Sequence, residues 1–379
     1  MVSVREVSSA KDIKEFIEFP LRLYKDCVRY VPALYGDEKK LLKSGGNSEN
    51  AESAFFIAEK DGKTAGRIHA IIQHQHNLKH GCLQMRFSRF DSINDEEVAK
   101  KLFEAAERWG ASKGMKEICG PLGFSDLDRE GMLVEGFDED TTFEEQYNYE
   151  YYAALMDKCG FRKDVDWLEF ELKYPRERNA MLKRVAERAL QLNKLHIADN
   201  NMSKRRYIAK YRDGFFDCLE ECYGKLYGTV PLTREMQDEL ISSFMLIVNK
   251  KYLVFVCDEN ERVIAFGLCF PGIGQAVRKS GGRLTPPALV KLLKAVRSPE
   301  IIDLGLVAVR PDYRNSGINA VILDKLLDML SDGAVRKCET NLNLEDNTAV
   351  MSQWKYFDAR QHKRRRCFIK TIGERDNDR

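Results

Sequence analysis

The pattern of apolar and polar residues predicts nearly the same order of elements in each half of the chain. Period-two alternation indicates strands and hairpins, and apolar residues spaced three and four apart indicate amphipathic helices. The first half reads as a strand at 2–7, helical residues from 10, a hairpin at 54–60 and 63–72, a strand at 84–90 and a helix at 95–113. The second half reads as a strand at 196–198, helices at 211–227 and 232–248, and a hairpin at 252–257 and 262–270. We interpret this order as an internal duplication with a spacing of roughly 200 residues.

One strand-turn-helix segment after the second hairpin carries the clearest chemistry. Residues 303–309 predict a buried strand, and a polar turn with Arg314 and Gly317 follows it. The next residues predict a helix whose apolar positions are Ile318, Val321, Ile322, Leu326 and Met329. Because the first amides of a helix have no acceptor and carry partial positive charge, the turn suits a diphosphate. The same spacing also fits an ordinary crossover with a surface arginine.

The charge balance narrows the classes of partner. Lys and Arg number 61 against 59 Asp and Glu, and the net charge of +2 gives no global argument for nucleic acid or an anionic membrane. A site for polyanions must therefore be local. No apolar run is long enough to span a bilayer, and the N-terminus reads as a strand rather than a signal sequence. We therefore expect a cytoplasmic protein with no nucleic-acid partner and no membrane partner.

The length of the chain and its cysteines indicate two domains and reduced thiols. A chain of 379 residues suits two domains of ordinary size. We predict lobes at 1–174 and 196–373, a basic connecting helix at 175–195 and a disordered tail at 374–379. The ten cysteines are scattered among apolar neighbours without paired clusters, which favours reduced thiols and no metal site.

The second half resembles the GCN5-related N-acetyltransferase (GNAT) superfamily. The resemblance rests on the strand end Val309-Arg-Pro311, the turn Arg314-x-x-Gly317-x-Asn319 and a helix start at Asn347. The marks of a first lobe are the segments 120–125 and 131–138 and the pair Tyr151-Tyr152. The whole chain thus resembles a two-lobed bacterial GNAT protein. The resemblance implies an α/β (α+β) fold with two tandem GNAT-like lobes, each a mixed, mostly antiparallel twisted sheet flanked by helices.

This resemblance implies an acyl-CoA site in the second lobe, with acetyl-CoA as the expected donor and no metal. The amides of 315–319 would hold the diphosphate beside Arg314, and the strand at 307–309 would pair with the pantetheine arm. Asn319 replaces the usual glycine or alanine, and Trp354 replaces a tyrosine that protonates the departing thiolate in many family members. The implied donor-site residues are Val307, Ala308, Val309, Arg314, Asn315, Ser316, Gly317, Ile318, Asn319, Asn347 and Trp354.

Two carboxylates are candidates for the base that takes the proton of an attacking amine. Asp303 precedes Val309 by six residues on the same strand face, and it matches the catalytic carboxylate of the histone-acetyltransferase branch of the family. It also fits a solvent-exposed carboxylate at the start of a strand. Glu339 on the neighbouring predicted strand is the second candidate. Because Trp354 cannot replace the acidic tyrosine, we expect direct attack on the thioester that relies on positioning.

The first lobe lacks the phosphate turn. Its corresponding helix begins Asn94-Asp-Glu-Glu97, which caps a helix well but repels a diphosphate. The sequence therefore predicts one CoA per chain, with the first lobe shaping the acceptor pocket. The candidate acceptor residues are Glu135, Tyr149, Tyr151 and Tyr152. Tyrosines at this density also fit packing against a sheet edge.

The leading hypothesis is an acyl-CoA-dependent N-acyltransferase that acts on a small-molecule or peptide amine. A Fem-type aminoacyl transferase also has two such lobes, but the intact turn from Arg314 to Gly317 favours CoA. A catalytically silent CoA-binding or scaffold protein is a further alternative, which Asn319 and Trp354 favour. Nucleic-acid binding through Lys363-Arg-Arg-Arg366 is weaker, because alternation along a strand would divide these charges between two faces.

Overall fold

Residues 1–373, which a computed structural model describes, alternate between strands and helices in two similar series. The strands are β1 (Val2–Glu6), β2 (Ala51–Lys60), β3 (Lys63–Gln73), β4 (Gln84–Ser92), β5 (Glu117–Gly120), β6 (Met132–Glu135), β7 (Arg162–Lys173), β8 (His196–Ile197), β9 (Leu253–Cys257), β10 (Val263–Pro271), β11 (Ile301–Val309), β12 (Lys337–Thr340), β13 (Asn343–Leu344) and β14 (Asp358–Thr371). The helices are α1 (Ala10–Leu23), α2 (Tyr35–Ser44), α3 (His74–His80), α4 (Glu96–Ser112), α5 (Tyr151–Lys158), α6 (Ala180–Leu192), α7 (Lys204–Tyr223), α8 (Arg234–Phe244), α9 (Gly274–Arg278), α10 (Pro286–Arg297), α11 (Ile318–Leu330) and α12 (Thr348–Met351). The tail predicted at 374–379 lies outside the described residues.

The element order confirms the predicted duplication. The series β1-α1-α2-β2-β3-β4-α4-β5 recurs as β8-α7-α8-β9-β10-β11-α11-β12, apart from short helices inserted before β4 and β11. From the sequence alone, the polar residues at 73–80 predict a solvated turn, and the Gly/Pro-rich residues at 271–287 predict a surface loop or a mobile lid. In the structure, residues 74–80 form α3, and the second segment contains α9 and the start of α10. Proline is well tolerated in the first turn of a helix, as in α10.

The described chain divides into two compact units. Unit 1 comprises Met1–Leu168, Gly274–Ala288 and the described residues from Lys363 onward, and unit 2 comprises Glu169–Ile273 and Leu289–His362. Neither unit is one continuous segment, because the last residues of β7 belong to unit 2 and most of β14 belongs to unit 1. The continuous lobes expected at 1–174 and 196–373 stay a prediction about independently folding domains.

Unit 1 contains a sheet in the order β1-β2-β3-β4-β5-β14, and β6 also pairs with β14. Only β4 and β5 are parallel among these described pairs, and the others are antiparallel. Helix α4 packs against β1, β2 and β3. Its residues Val98, Leu102 and Ala106 are fully buried in a core with Ile68 and Phe87.

Unit 2 contains a sheet in the order β7-β12-β11-β10-β9-β8. Only β11 and β12 are parallel among these described pairs. Helix α11 packs against β10, β11 and α6, and its Ile318 and Leu327 are fully buried. Both units therefore confirm the predicted α/β (α+β) class, in which mixed and mostly antiparallel sheets are flanked by helices.

Candidate functional site

The parallel strands β11 and β12 separate in the middle of unit 2 and leave one edge of β11 open. Their pairing runs from Ile301 and Lys337 to Leu304 and Thr340, and the amide of Asn341 then donates to the Leu304 carbonyl at 3.0 Å. Beyond this point β11 continues to Val309 beside β10 alone among the strands. A gap of this kind between two parallel strands can receive an extended ligand that pairs with the open edge.

A bulge decides which backbone groups face the open edge. The register between β10 and β11 shifts at Leu268, so that Gly305 is an extra residue on β11. A Cβ at Gly305 would lie 2.6 Å from the Phe270 ring, so a side chain at this position would collide with that ring. After the bulge the amides of Val307 and Val309 point away from β10, as the pantetheine prediction requires.

The open edge is nevertheless covered by the last residues of α7. The Tyr223 hydroxyl donates to the Val307 carbonyl at 2.9 Å and accepts from the Val307 amide at 3.3 Å. The Cys222 thiol donates to the Val309 carbonyl at 3.4 Å. One phenol thus satisfies both polar groups of a strand residue, as an amide of a neighbouring strand would. Sequence reasoning missed both side chains, because no spacing places the end of α7 beside β11.

The turn after β11 leads to a helix end without a cap. Pro311–Tyr313 form a 3₁₀ turn, Arg314 is exposed, and Asn315 and Gly317 both adopt left-handed backbone angles with φ of 63° and 82°. Gly317 is the N-cap residue of α11, and no side chain of the described residues caps this end. Within residues 1–373 the amides of 317–319 donate to no protein group, and the first turn holds no acidic residue. These amides fit a bound anion.

Gly317 also has a packing role. A Cβ at Gly317 would lie 3.2 Å from Val185 Cγ1 and 3.4 Å from Ala189 Cβ, both on α6. The sequence predicted α6 as a connecting helix at 175–195, and in unit 2 it lies along α11. The glycine therefore permits both the left-handed N-cap and the close approach of α6.

Three carboxylates lie in a row across the sheet at the base of the gap. Asp303 on β11 is opposite Glu339 on β12, and Glu339 is opposite Glu171 on β7. Residues that are opposite each other on neighbouring strands point to the same face. Asp303, Glu339 and Glu171 are 5%, 4% and 7% exposed. The alternative prediction, a solvent-exposed carboxylate at the start of a strand, is therefore wrong for Asp303. Strand β11 begins two residues earlier, so Asp303 lies within the sheet.

Basic side chains surround Glu339 and Glu171. Lys337 Nζ lies 2.6 Å from Glu339 Oε1 and 2.8 Å from Glu171 Oε2, and His362 Nε2 lies 2.8 Å from Glu339 Oε2. Burial raises the pKa of Glu171, but hydrogen bonds from Lys173 and Lys337 outweigh it and hold this pKa at about 2. Burial likewise lowers the pKa of Lys337, while Glu339 and Glu171 raise it above its ordinary value.

The row therefore has both acceptors and donors of protons in one buried place. His362 was missed by sequence reasoning, because it lies 23 residues after Glu339 and only the strand register brings the two together.

The other predicted donor-site residues have structural contacts. Asn347 caps α12, since its side chain accepts from the Val350 amide at 3.3 Å. Trp354 is 3% exposed and packs against Phe357, and its Nε1 has no acceptor among residues 1–373. Ala308 is buried. The roles expected for these residues in donor binding stay predictions.

The predicted acceptor residues of unit 1 are only partly brought together. Tyr149 and Tyr151 line a shallow depression of about 560 Å³ with Phe137, Asp138, Tyr147 and Glu150. Tyr152 is fully buried, and its hydroxyl lies 2.7 Å from that of Tyr24. Glu135 is exposed and pairs with Arg364 at 3.0 Å. Tyr149 and Tyr151 thus line a surface that a ligand can reach, whereas Tyr152 belongs to the core.

The corresponding segment of unit 1 is closed at both places that are distinctive in unit 2. The Leu122 amide donates to the Phe87 carbonyl at 2.8 Å, where β4 continues beyond its pairing with β5. Asp95 caps α4 by accepting from the Val98 amide at 3.1 Å, and Lys60 pairs with the same carboxylate. The Lys60 hydrogen bond lowers the pKa of Asp95, so this carboxylate is charged at neutral pH.

Comparisons with known proteins agree with this architecture. No family model matches the chain. A solved tandem GNAT protein from the clavulanic acid biosynthesis pathway superimposes with a TM-score of 0.57 and 11% sequence identity, covering 99% of this chain and 100% of that chain. The chain has the tandem GNAT fold.

Two curated relatives match most of the chain in sequence. Protein YghO of Escherichia coli (strain K12) is 27% identical over 386 aligned positions, covering 97% of this chain and 95% of the relative. The bacterial ceramide synthase of Caulobacter vibrioides (strain NA1000 / CB15N) is 24% identical over 315 positions, covering 80% of each. Both likenesses extend beyond a single lobe, so they concern the tandem arrangement as a whole.

Proposed function

We propose that this chain is an acyl-CoA-dependent N-acyltransferase with a single donor site in unit 2. The observation that carries the proposal is the uncapped N-terminus of α11 directly after the open edge of β11. The free amides of 317–319 and the exposed Arg314 suit the diphosphate of CoA, and the edge at 307–309 suits its pantetheine arm. Acetyl-CoA or a longer acyl-CoA would serve as the donor.

The carboxylate row supplies a base for the transfer. As an amine attacks the thioester carbonyl, a C–N bond forms, the C–S bond breaks, and the amine must lose a proton. Asp303 and Glu339 lie one residue pair before β11 and β12 separate, beside the place where the thioester would lie. His362 contacts Glu339 and can hold this carboxylate in place.

Among residues 1–373, no side chain of the proposed donor site is suited to donate a proton to the departing thiolate. The indole of Trp354 is a hydrogen-bond donor without useful acidity, and it lies in the core of unit 2. Direct attack that depends on the positions of the reactants is therefore the proposed mechanism. The thiolate of CoA needs less protonation to leave than an amine or an alkoxide does, because the pKa of a thiol is lower than that of an amine or an alcohol.

The acceptor is proposed to be an amine, and one relative narrows its chemistry. The Caulobacter protein is described as a ceramide synthase, and ceramide is a fatty acyl amide of a long-chain amino alcohol. Its similarity over 80% of this chain supports a long-chain amine as acceptor and a fatty acyl group as cargo. Small-molecule and peptide amines stay within the proposal.

A second candidate function is a catalytically silent protein that keeps the tandem GNAT fold. The observation that favours it is the cover formed by Tyr223 and Cys222 over the donor edge of β11. In an active enzyme this cover must move before the donor arm can pair with Val307. A silent protein would keep it permanently.

One experiment separates the two candidates. We would titrate the purified chain with acetyl-CoA and with a long-chain acyl-CoA by calorimetry, and then search for amide products by mass spectrometry in a panel of amines that includes a long-chain amino alcohol. The enzyme predicts one equivalent of bound donor and an amide product. Binding of neither donor would remove the enzyme, and donor binding without any product over the panel would favour the silent protein.

A further inference from the structure

Positive charge is concentrated in one segment of an otherwise slightly acidic chain. Residues 262–299 contain seven Lys and Arg and no Asp or Glu, while the remainder contains 54 basic and 59 acidic residues. The net charge of +2 therefore hides a local surplus. The expectation of no membrane partner rested on that average, and a surplus of this kind is what an anionic surface recognises.

Helix α10 carries part of this segment with a consistent outward face. It buries Ala288 and Leu292, which are 5% and 0% exposed, and turns Val290 and Leu293 outward with exposures of 68% and 48%. The outward stripe consists of Val290, Leu293, Lys294 and Arg297, at spacings of three, four and seven residues, and Lys291 lies beside it. We call these five residues the α10 face.

The cations of the α10 face are available to a partner. Lys291, Lys294 and Arg297 are exposed and form no ion pair within the described residues. Nearby Arg283, by contrast, pairs with Glu18 at 2.8 Å and stacks on Tyr35. Arg283 thus has contacts in unit 1 and Arg262 pairs with Glu221 at 3.9 Å, whereas the three cations of α10 have no described charge partner.

We propose that the α10 face docks on an anionic lipid surface. The cations match the negative headgroups, and Val290 and Leu293 can enter the boundary between headgroups and acyl chains. The long stems of Lys and Arg can lie along the same apolar region while their charges stay at the headgroups. Among residues 1–373, no helix is both long and apolar enough to cross a bilayer. Surface docking by one amphipathic helix does not need such a span.

The apolar residues distinguish this partner from a nucleic acid. A phosphate backbone would engage Lys291, Lys294 and Arg297 but would gain nothing from an exposed valine and leucine. A lipid surface uses both kinds of side chain. With only two apolar side chains, the docking should be reversible and sensitive to salt.

The test is co-sedimentation of the full chain with vesicles, which needs no knowledge of the enzyme's substrates. We expect binding to vesicles that contain phosphatidylglycerol and little binding to phosphatidylcholine alone, with a loss at high salt. The variant Lys291→Glu/Lys294→Glu/Arg297→Glu should bind at least on the order of a hundredfold more weakly, since each lost cation is worth about fivefold. The variant Val290→Ser/Leu293→Ser keeps the charge and should bind about tenfold more weakly.

A matched control removes the same charge elsewhere. Lys11, Lys14 and Lys25 are exposed and form no ion pair among the described contacts, so the variant Lys11→Glu/Lys14→Glu/Lys25→Glu should bind vesicles nearly as wild type does. Equal losses in the two charge variants would overturn the proposal, because binding would then depend on net charge alone. So would a wild-type chain that ignores phosphatidylglycerol, or a serine variant that binds as wild type while duplex nucleic acid binds the α10 face.

Discussion

The two parallel strand pairs of this protein share one design and differ at three successive places. On the sheet face turned away from α4, the last residue pair before β4 and β5 separate is Arg86 and Cys119, both buried. On the face turned away from α11, the corresponding pair in unit 2 is Asp303 and Glu339. This face thus carries a pair of carboxylates in unit 2 and no carboxylate at the corresponding place in unit 1, so chemistry is expected in unit 2 alone.

The edges of β4 and β11 that face the gap are covered in different ways. In unit 1 the backbone of Leu122 is bonded to the edge of β4, so the cover belongs to the main chain directly after β5. In unit 2 the cover consists of two side chains at the end of a helix, Tyr223 and Cys222. Side chains exchange rotamers far more easily than a strand end moves, so only the second cover can be displaced by a ligand at a small cost.

The helix ends differ in charge. Asp95 already places a carboxylate at the N-terminus of α4, with Glu96 and Glu97 in the first turn. The N-terminus of α11 has a glycine and no acidic residue. The Asp95 carboxylate binds a backbone amide that an external anion would need. The N-terminus of α4 is therefore not available to a bound anion. One fold thus allows the proposed donor site only in the unit where all three places stay available.

The largest expected effect concerns the carboxylate pair. Asp303→Asn should lower kcat on the order of a hundredfold to ten-thousandfold while the donor Kd stays unchanged, because a general base acts only in the transition state. Glu339→Gln should also lower kcat, because it removes the second carboxylate at the base of the gap. The measurement is single-turnover kinetics with a saturating acyl-CoA and an amine accepted by the wild type.

Unchanged rates in both carboxylate variants would show that the difference from Arg86 and Cys119 has no catalytic meaning. A marked fall in the melting temperature of these variants, together with the loss of rate, would indicate a structural role instead. Cys119→Ser offers a control at the corresponding place of unit 1, where we expect no change in rate.

The next effect concerns the left-handed glycine before α11. Gly317→Ala should weaken donor binding more than tenfold, because the new Cβ strains the backbone and presses on Val185 of α6. Gly333→Ala is the matched control, since Gly333 has φ of 72° and no atom within 4 Å of the added Cβ. Both variants should lose a similar backbone contribution to stability, and only Gly317→Ala should lose donor affinity in a calorimetric titration. Equal donor affinity in the two variants would contradict a donor site at this turn.

The cover over β11 gives a prediction in the opposite direction. Tyr223→Phe removes a hydroxyl that competes for Val307, so donor affinity should rise by about threefold to tenfold while the protein loses about 1 kcal/mol of stability. Tyr211→Phe on the same helix is the control, because its hydroxyl bonds Glu261 at 2.9 Å and not β11. The control should lose stability without any gain in affinity. Weaker donor binding in Tyr223→Phe would mean that the hydroxyl helps the donor rather than competes with it.

Much of the fold could be predicted because its signals are local. The hairpin at 252–270, the helix after Gly317 and the duplicated order all follow from periodicity and from turn residues within a few positions. The insertion before β11 was misjudged because Pro286 and Pro287 suggested a loop, whereas they begin α10.

The site could be predicted only in part, for a related reason. Asp303, Glu339 and the turn at 314–317 belong to segments with recognisable patterns. Tyr223, His362 and Lys337 join them through strand register and helix packing, which depend on contacts between residues far apart in the chain. Burial of Trp354 and Tyr152 likewise depends on which face of an element meets the core, and a single turn of helix does not determine that.

The most direct test of a single donor site at α11 places a carboxylate where unit 1 already has one. Asn319→Asp changes one amide to a carboxylate of the same shape in the first turn of α11. We expect one equivalent of acetyl-CoA per wild-type chain in a calorimetric titration, and an affinity about tenfold lower in the variant, because the new charge repels the diphosphate. The same variant should be slightly more stable to heat, since a negative charge favours the N-terminus of a helix. Two equivalents of acetyl-CoA per wild-type chain, or an unchanged affinity in Asn319→Asp, would contradict a single donor site at α11.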